Sequence, residues 1–228
     1  MIDSDQSAFS LSKAALIAGL GLLLMAVLAP IANFAGYENL LVADDAAATV
    51  QNISESEGLF RVSIALFLIV GILDIVAAWA LYILFQPVDK RLSLLTAWFR
   101  LVYAAVLVAS VQHLLSALDM MHAGENLPAD ATGVLQSLEA FGSGWSAGMV
   151  IFSMHLIFMG YLVIKSNYTP GIIGWLLILA GAGYMIDNFA GILVPEYNLE
   201  LAMYTFIGEV VLIFWLLIKG VRIQRNAE

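Results

Sequence analysis

The chain has no cysteine among its 228 residues. That excludes a disulfide framework, a thiolate metal site, a cysteine nucleophile and a cysteine-held iron–sulfur cluster. Charge is scarce as well: Asp, Glu, Lys and Arg make up 12% of the residues, about half the share found in a soluble domain. Nine Lys and Arg stand against eighteen Asp and Glu, and no basic cluster occurs, so nucleic acid is not an expected partner. Histidine occurs three times, without H-E-x-x-H, H-x-x-x-H or doubled E-x-x-H spacing, which leaves no zinc or di-iron signature. Walker and dinucleotide glycine patterns are missing too, and no cofactor is expected. The run G-S-G-W-S-A-G at 142–148 lacks the strand–elbow–helix setting of a serine hydrolase. Its small residues, with Gly144 and Gly148 four apart, suit close helix packing.

What is present is apolar. The hydrophobic fraction is 62% and the mean hydropathy +0.93, which places the chain in a bilayer. Six runs are long enough to cross, at about 14–34, 59–85, 92–118, 139–164, 171–193 and 199–221. The first lacks a basic leader and a small-x-small cleavage site, so it reads as a retained helix rather than a signal peptide. Pro30 is placed to kink its end. Between the first two spans, Asp44 and Asp45 precede AAATVQNISES, the pattern of a helix start with carboxylates at the positive end of the dipole. A short interfacial helix is expected there, with Leu41, Ala48 and Ile53 against the bilayer surface. The expected fold is therefore an all-α, single-domain, six-span membrane bundle with one short outer helix.

Seven of the nine cations, Lys13, Lys90, Arg91, Lys165, Lys219, Arg222 and Arg225, fall on the side shared by the termini and the even turns. The opposite loops carry Glu38, Asp44, Asp45, Glu55, Glu57, Asp119, Glu125, Asp130, Glu139, Glu196 and Glu200. By the positive-inside rule both termini are cytoplasmic. The expected location is a bacterial inner membrane. An internal echo also occurs: I-A-N-F-A-G at 31–36 returns as I-D-N-F-A-G at 186–191, at corresponding places in spans one and five. A parallel hairpin repeat and a shared capping solution both account for it.

Ionisable residues inside spans are costly and mark functional or paired positions. Helical rise places Asp74, Arg100 and His155 at about 12–16 Å from the cytoplasmic boundary. Asp74 and Arg100 on adjacent spans can form an ion pair. With His155 they read as a proton or ion relay, or as a structural pair with His155 bonded to a backbone carbonyl. Nearer the outer face lie Asn33, Gln112, His113, Trp145, Asp187 and Asn188, with Arg61 at the rim and Glu209 a turn deeper. These read as an outward-opening ligand pocket, or as an interfacial cluster solvated by headgroups. His113, Asp187 and Glu209 form the best available metal or acid–base set.

The stretches SEGLFRVSI, LYILFQPVDKRLSLL, FRL, HLIFMGYLVIKSNYTP and GWLLILAGAGYMIDNF resemble domain-of-unknown-function family 4386, a bacterial multi-span group without an assigned activity. The resemblance runs from the first span to the sixth. It aligns Arg61 with the arginine of an S-E-x-L-F-R stretch, Arg100 with the arginine of the third span and Asp187 with the aspartate after G-Y-x-x. Asn188 stands where the family more often has serine. The resemblance implies six spans and no particular substrate. Three function classes follow: a bundle that binds or transports a small molecule or lipid, a membrane-embedded enzyme on a lipid or isoprenoid using His113, Asp187 and Glu209, and an accessory subunit bound to a partner membrane protein or to its own copies.

Overall fold

The structure, a computed structural model, describes residues 10–122, 130–194 and 197–223. Glu125, Glu196 and Arg225, counted above in the charge pattern, lie outside the described residues. Eight α-helices occur among those described: α1 (Leu11–Pro30), α2 (Ala46–Glu55), α3 (Glu57–Phe85), α4 (Lys90–His122), α5 (Ala131–Lys165), α6 (Gly171–Leu193), α7 (Ala202–Thr205) and α8 (Ile207–Ile218). Six segments are long and apolar enough to cross a membrane: Leu11–Glu38, Glu57–Phe85, Lys90–His122, Ala131–Lys165, Gly171–Leu193 and Ala202–Arg222. The protein is an all-α, multi-pass membrane bundle.

Each span packs on the next, and α8 returns to pack on α1, so the six segments close a ring. The faces turned away from it carry large apolar residues such as Ile72, Ile172, Trp175 and Phe214, all more than half exposed. Side chains on that face match hydrocarbon, and the ring interior collects the polar groups. Glycine sets the tightest seam. A Cβ on Gly160 of α5 would collide with the carbonyl oxygen of Gly174 on α6, and one on Gly174 with the carbonyl of Gly160. The expected small-residue contact at Gly144 and Gly148 also forms, against Ser110, Tyr103 and Val106 of α4. At the end that carries the termini, the Asp89 carboxylate accepts from the Leu92 N–H at 3.0 Å and starts α4. That N–H, followed by the Lys165 ammonium, holds Asp89 below the usual carboxylate range. The Tyr168 hydroxyl donates to the Leu84 carbonyl and ties two turns together.

Three departures from the expected pattern bear on the interior. Pro30 has no N–H to donate, and the next eight residues, Ile31–Glu38, wind as a π-helix, carrying the first span four residues past its expected end. The short helix α2 forms where expected, capped by the Asp45 carboxylate on the Ala48 N–H. However, Thr49 and Ile53 are fully buried and α2 packs on α5, so Ile53 turns to protein rather than to the bilayer surface. This contact also explains why α5 begins at Ala131, eight residues early. Val134 and Leu138 need a cover, and a helix extended beyond the membrane meets α2 there.

Candidate functional site

The interior is built from all six spans. Arg100 on α4 lies 2.6 Å from the Asp74 carboxylate on α3, with side chains only 5% and 2% exposed. The expected ion pair is therefore formed and buried. The Arg100 guanidinium also donates from Nη1 to His155 Nε2 at 3.1 Å, and its Nη2 reaches the Met25 sulfur on α1 at 3.9 Å. The Phe152 ring lies 5.3 Å from the guanidinium carbon. Meanwhile His155 Nδ1 sits 2.9 Å from the Thr96 carbonyl. A carbonyl only accepts, so Nδ1 carries the proton and Nε2 is the acceptor for Arg100. Both ring nitrogens are occupied by structural partners. Of the two readings of this trio, the backbone-bonded histidine is the one the geometry matches.

Above this trio is a cavity of about 320 Å³. Its polar wall is Asp74, Arg100, Tyr103, Trp145, Tyr184 and Glu209, and its apolar wall includes Met25, Phe152 and Phe206. Glu209 accepts from the Tyr184 hydroxyl at 2.8 Å, and the Trp145 indole donates to the Tyr103 hydroxyl at 3.2 Å. A void of about 10 Å³ among Arg100, His155 and Glu209 is about the size of one water. Sequence depth separated Trp145 and Glu209 from the Asp74–Arg100–His155 group. The ring instead brings both sets to one cavity: Glu209 lies about two turns into its span, where α8 leans against α6 at Gly208.

A second, open cavity of about 820 Å³ lies at the end away from the termini. Asn33, Glu38, Asp187, Tyr197 and Glu200 line it, and Pro30, Tyr184 and Phe206 line both cavities. The π-helix explains one wall. Residues five apart stack on an i→i+5 ladder, whereas on an α-helix they would point about 140° apart. Asn33 thus donates from Nδ2 to Glu38 Oε1 at 2.8 Å, and its own carbonyl oxygen is buried without a partner. Asp187 forms the facing wall. One carboxylate accepts the Leu201 N–H at 3.0 Å, the Ala202 N–H at 2.6 Å and the Tyr197 hydroxyl. The accepted hydroxyl bond pushes the Tyr197 phenol up to about 12. Asp187 is therefore the anchor of the 197–205 segment. That segment includes Glu200, whose φ of 42° is uncommon outside glycine and asparagine.

Four expected members of the outer cluster sit elsewhere. Gln112 and His113 are exposed on α4 and line neither cavity, because their helix turns Val111 and Leu114 inward instead. Arg61 is exposed and pairs with Glu57 one turn away at 2.6 Å, and His122 reaches the same carboxylate at 3.3 Å. Asn188 joins two helices: it accepts from the Ser146 hydroxyl on α5 and donates to the Tyr184 carbonyl. The echoed I-x-N-F-A-G blocks accordingly differ in structure, one in a π-helix and one in α6. His113 does not join Asp187 and Glu209, and no three His, Asp or Glu side chains converge as a metal site among the described residues. The acid–base set of the enzyme reading is thereby dispersed. Tyr184 was missed, although its offset of three from Asp187 puts both on one helix face. Tyr197 and Glu200 had no periodic signal to reveal them.

A family model described as a domain of unknown function, DUF4386, matches residues 17–220. The chain belongs to the DUF4386 family. It is also 39% identical over 160 residues to an uncharacterised protein of the archaeon Archaeoglobus fulgidus, covering 69% of this chain and 82% of that one. No solved structure matches it. Within this DUF4386 chain, the family-aligned Arg61, Arg100 and Asp187 serve three different ends: a surface pair, a buried pair and a loop anchor.

Proposed function

We propose that this DUF4386 protein binds a small ligand, free or lipid-borne, that enters from the end of the bundle away from the termini and rests in the inner cavity. Binding for uptake or release is one form of that activity. The observation that supports it is the adjacency of the two cavities: Pro30, Tyr184 and Phe206 border both, and on this reading the wide cavity is a vestibule to the narrow one. A volume of about 320 Å³ falls at the lower end of the range for small-molecule sites. The convergence of polar groups from five spans is costly in lipid and has no packing advantage over apolar residues.

The proposal includes a plasma-membrane location with both termini cytoplasmic, supported by Lys13, Lys90, Arg91, Lys165, Lys219 and Arg222 on one side. A bacterial inner membrane is the setting first expected. The natural lack of cysteine makes the test direct. In intact cells, Asn198→Cys in the vestibule is expected to react with an impermeant maleimide, and Asn167→Cys in the turn between α5 and α6 only after permeabilisation. The reverse pattern, or an unreactive Asn198→Cys in folded protein, contradicts the reading.

A further inference from the structure

The ligand class can be argued further, on the basis of the reading just given. Charge in the inner cavity does not balance. Asp74 and Arg100 neutralise one another at 2.6 Å, which leaves Glu209 with a hydroxyl partner, Tyr184, and no cation within ion-pair distance among the described residues. A counter-ion stabilises the charged form of a carboxylate at membrane depth. The vestibule repeats the sign: Glu38, Asp187 and Glu200 border it, and no Lys, Arg or His does. Asn33, 8% exposed, presents a buried carbonyl oxygen with no donor there. Acceptors and carboxylates lined along one route favour cations at every step.

The remaining walls decide which cation. Tyr103, Trp145, Phe152, Tyr184 and Phe206 border the cavity, an aromatic share that suits an organic ammonium through its ring faces. A bare metal ion would want several oxygens at close range, and Glu209 with tyrosine hydroxyls does not provide such a shell. Pro30 and Phe206, both exposed, also border the cavity. It therefore reaches the bundle surface between α1 and α8, where an alkyl chain could lie. We propose that the inner cavity binds an alkylammonium group, with Glu209 as its counter-ion and the aromatic faces as its cage. The group arrives either as a free small cation or as the head of a single-chain amphiphile.

Thermal unfolding of the full chain in neutral-lipid nanodiscs tests this, with choline, decyltrimethylammonium and the uncharged choline isostere 3,3-dimethylbutan-1-ol as probes. At least one cation is expected to raise Tm saturably, the alcohol is expected to do nothing, and Glu209→Gln is expected to weaken the effect at least tenfold. Choline alone sufficing identifies a free cation, and a response only to the amphiphile identifies a lipid-like source. Trp145→Leu, which leaves every carboxylate in place, is expected to weaken binding several-fold, so the cage is tested even if Glu209→Gln does not fold. Equal response to alcohol and cation, undiminished binding in both variants, or no response to either cation overturns the assignment. If Asn198→Cys is nonetheless labelled from outside, the open vestibule stands and only the cation is lost.

Discussion

At the scale of single residues, the Asp74–Arg100 pair carries the largest energetic consequence. Removing one member of a buried ion pair leaves the other charge buried without compensation, which costs about 3–5 kcal/mol. Arg100→Met is therefore expected to lower Tm sharply, and Asp74→Leu combined with Arg100→Met to restore most of the loss. Additive destabilisation in the double variant would show that the two side chains do not act as a pair. Asp187 makes a different prediction. Its three bonds hold the 197–205 segment, and Asp187→Ala forfeits about 0.5–2 kcal/mol, the scale of a lost cap, with the cost local to that segment. The Tyr197 phenol must stay neutral to donate. Its value is raised from 10.0 to about 12, so its contribution is complete below pH 10 and is lost as pH rises through about 12. A phenolate absorbance titration is expected to show one tyrosine moving back toward 10 in Asp187→Ala, and an unchanged curve counts against the bond.

Among the elements, the closest approach is the α5–α6 seam at Gly160 and Gly174. Gly174→Leu would drive two backbones apart, an overpacking cost of about 1–3 kcal/mol. By contrast Gly191→Leu, with nothing within 4 Å of its added Cβ, is expected to leave Tm near the parent value. The six spans were legible because lipid demands a long apolar run for each crossing, and the outer short helix because Asp45 is a strong cap signal. The winding of Ile31–Glu38 was not legible. Pro30 announces a disturbed ladder, but whether it becomes a kink or a π-helix depends on what the following turn packs against. Helix rotation was the other gap. Spacing places Gln112 and His113 at a depth without saying which way they face, and the neighbours Val111 and Leu114 turned them outward. Asp74, Arg100 and His155 were readable because a charge in a span has few places to go.

For the molecule as a whole, the governing feature is a ring of six spans with apolar residues outside and a polar cavity inside. Two positions inside the spans separate these surfaces. Ile72 is 61% exposed on the outer face of α3, two residues from Asp74, and Met149 borders the inner cavity. The decisive measurement is the rate at which a small cationic methanethiosulfonate reagent modifies Met149→Cys and Ile72→Cys in intact, cysteine-free membranes. Met149→Cys is expected to react at least tenfold faster, and faster than with an anionic reagent of the same size. Equal rates at both positions, or faster reaction at Ile72→Cys, would contradict a hydrated acidic interior.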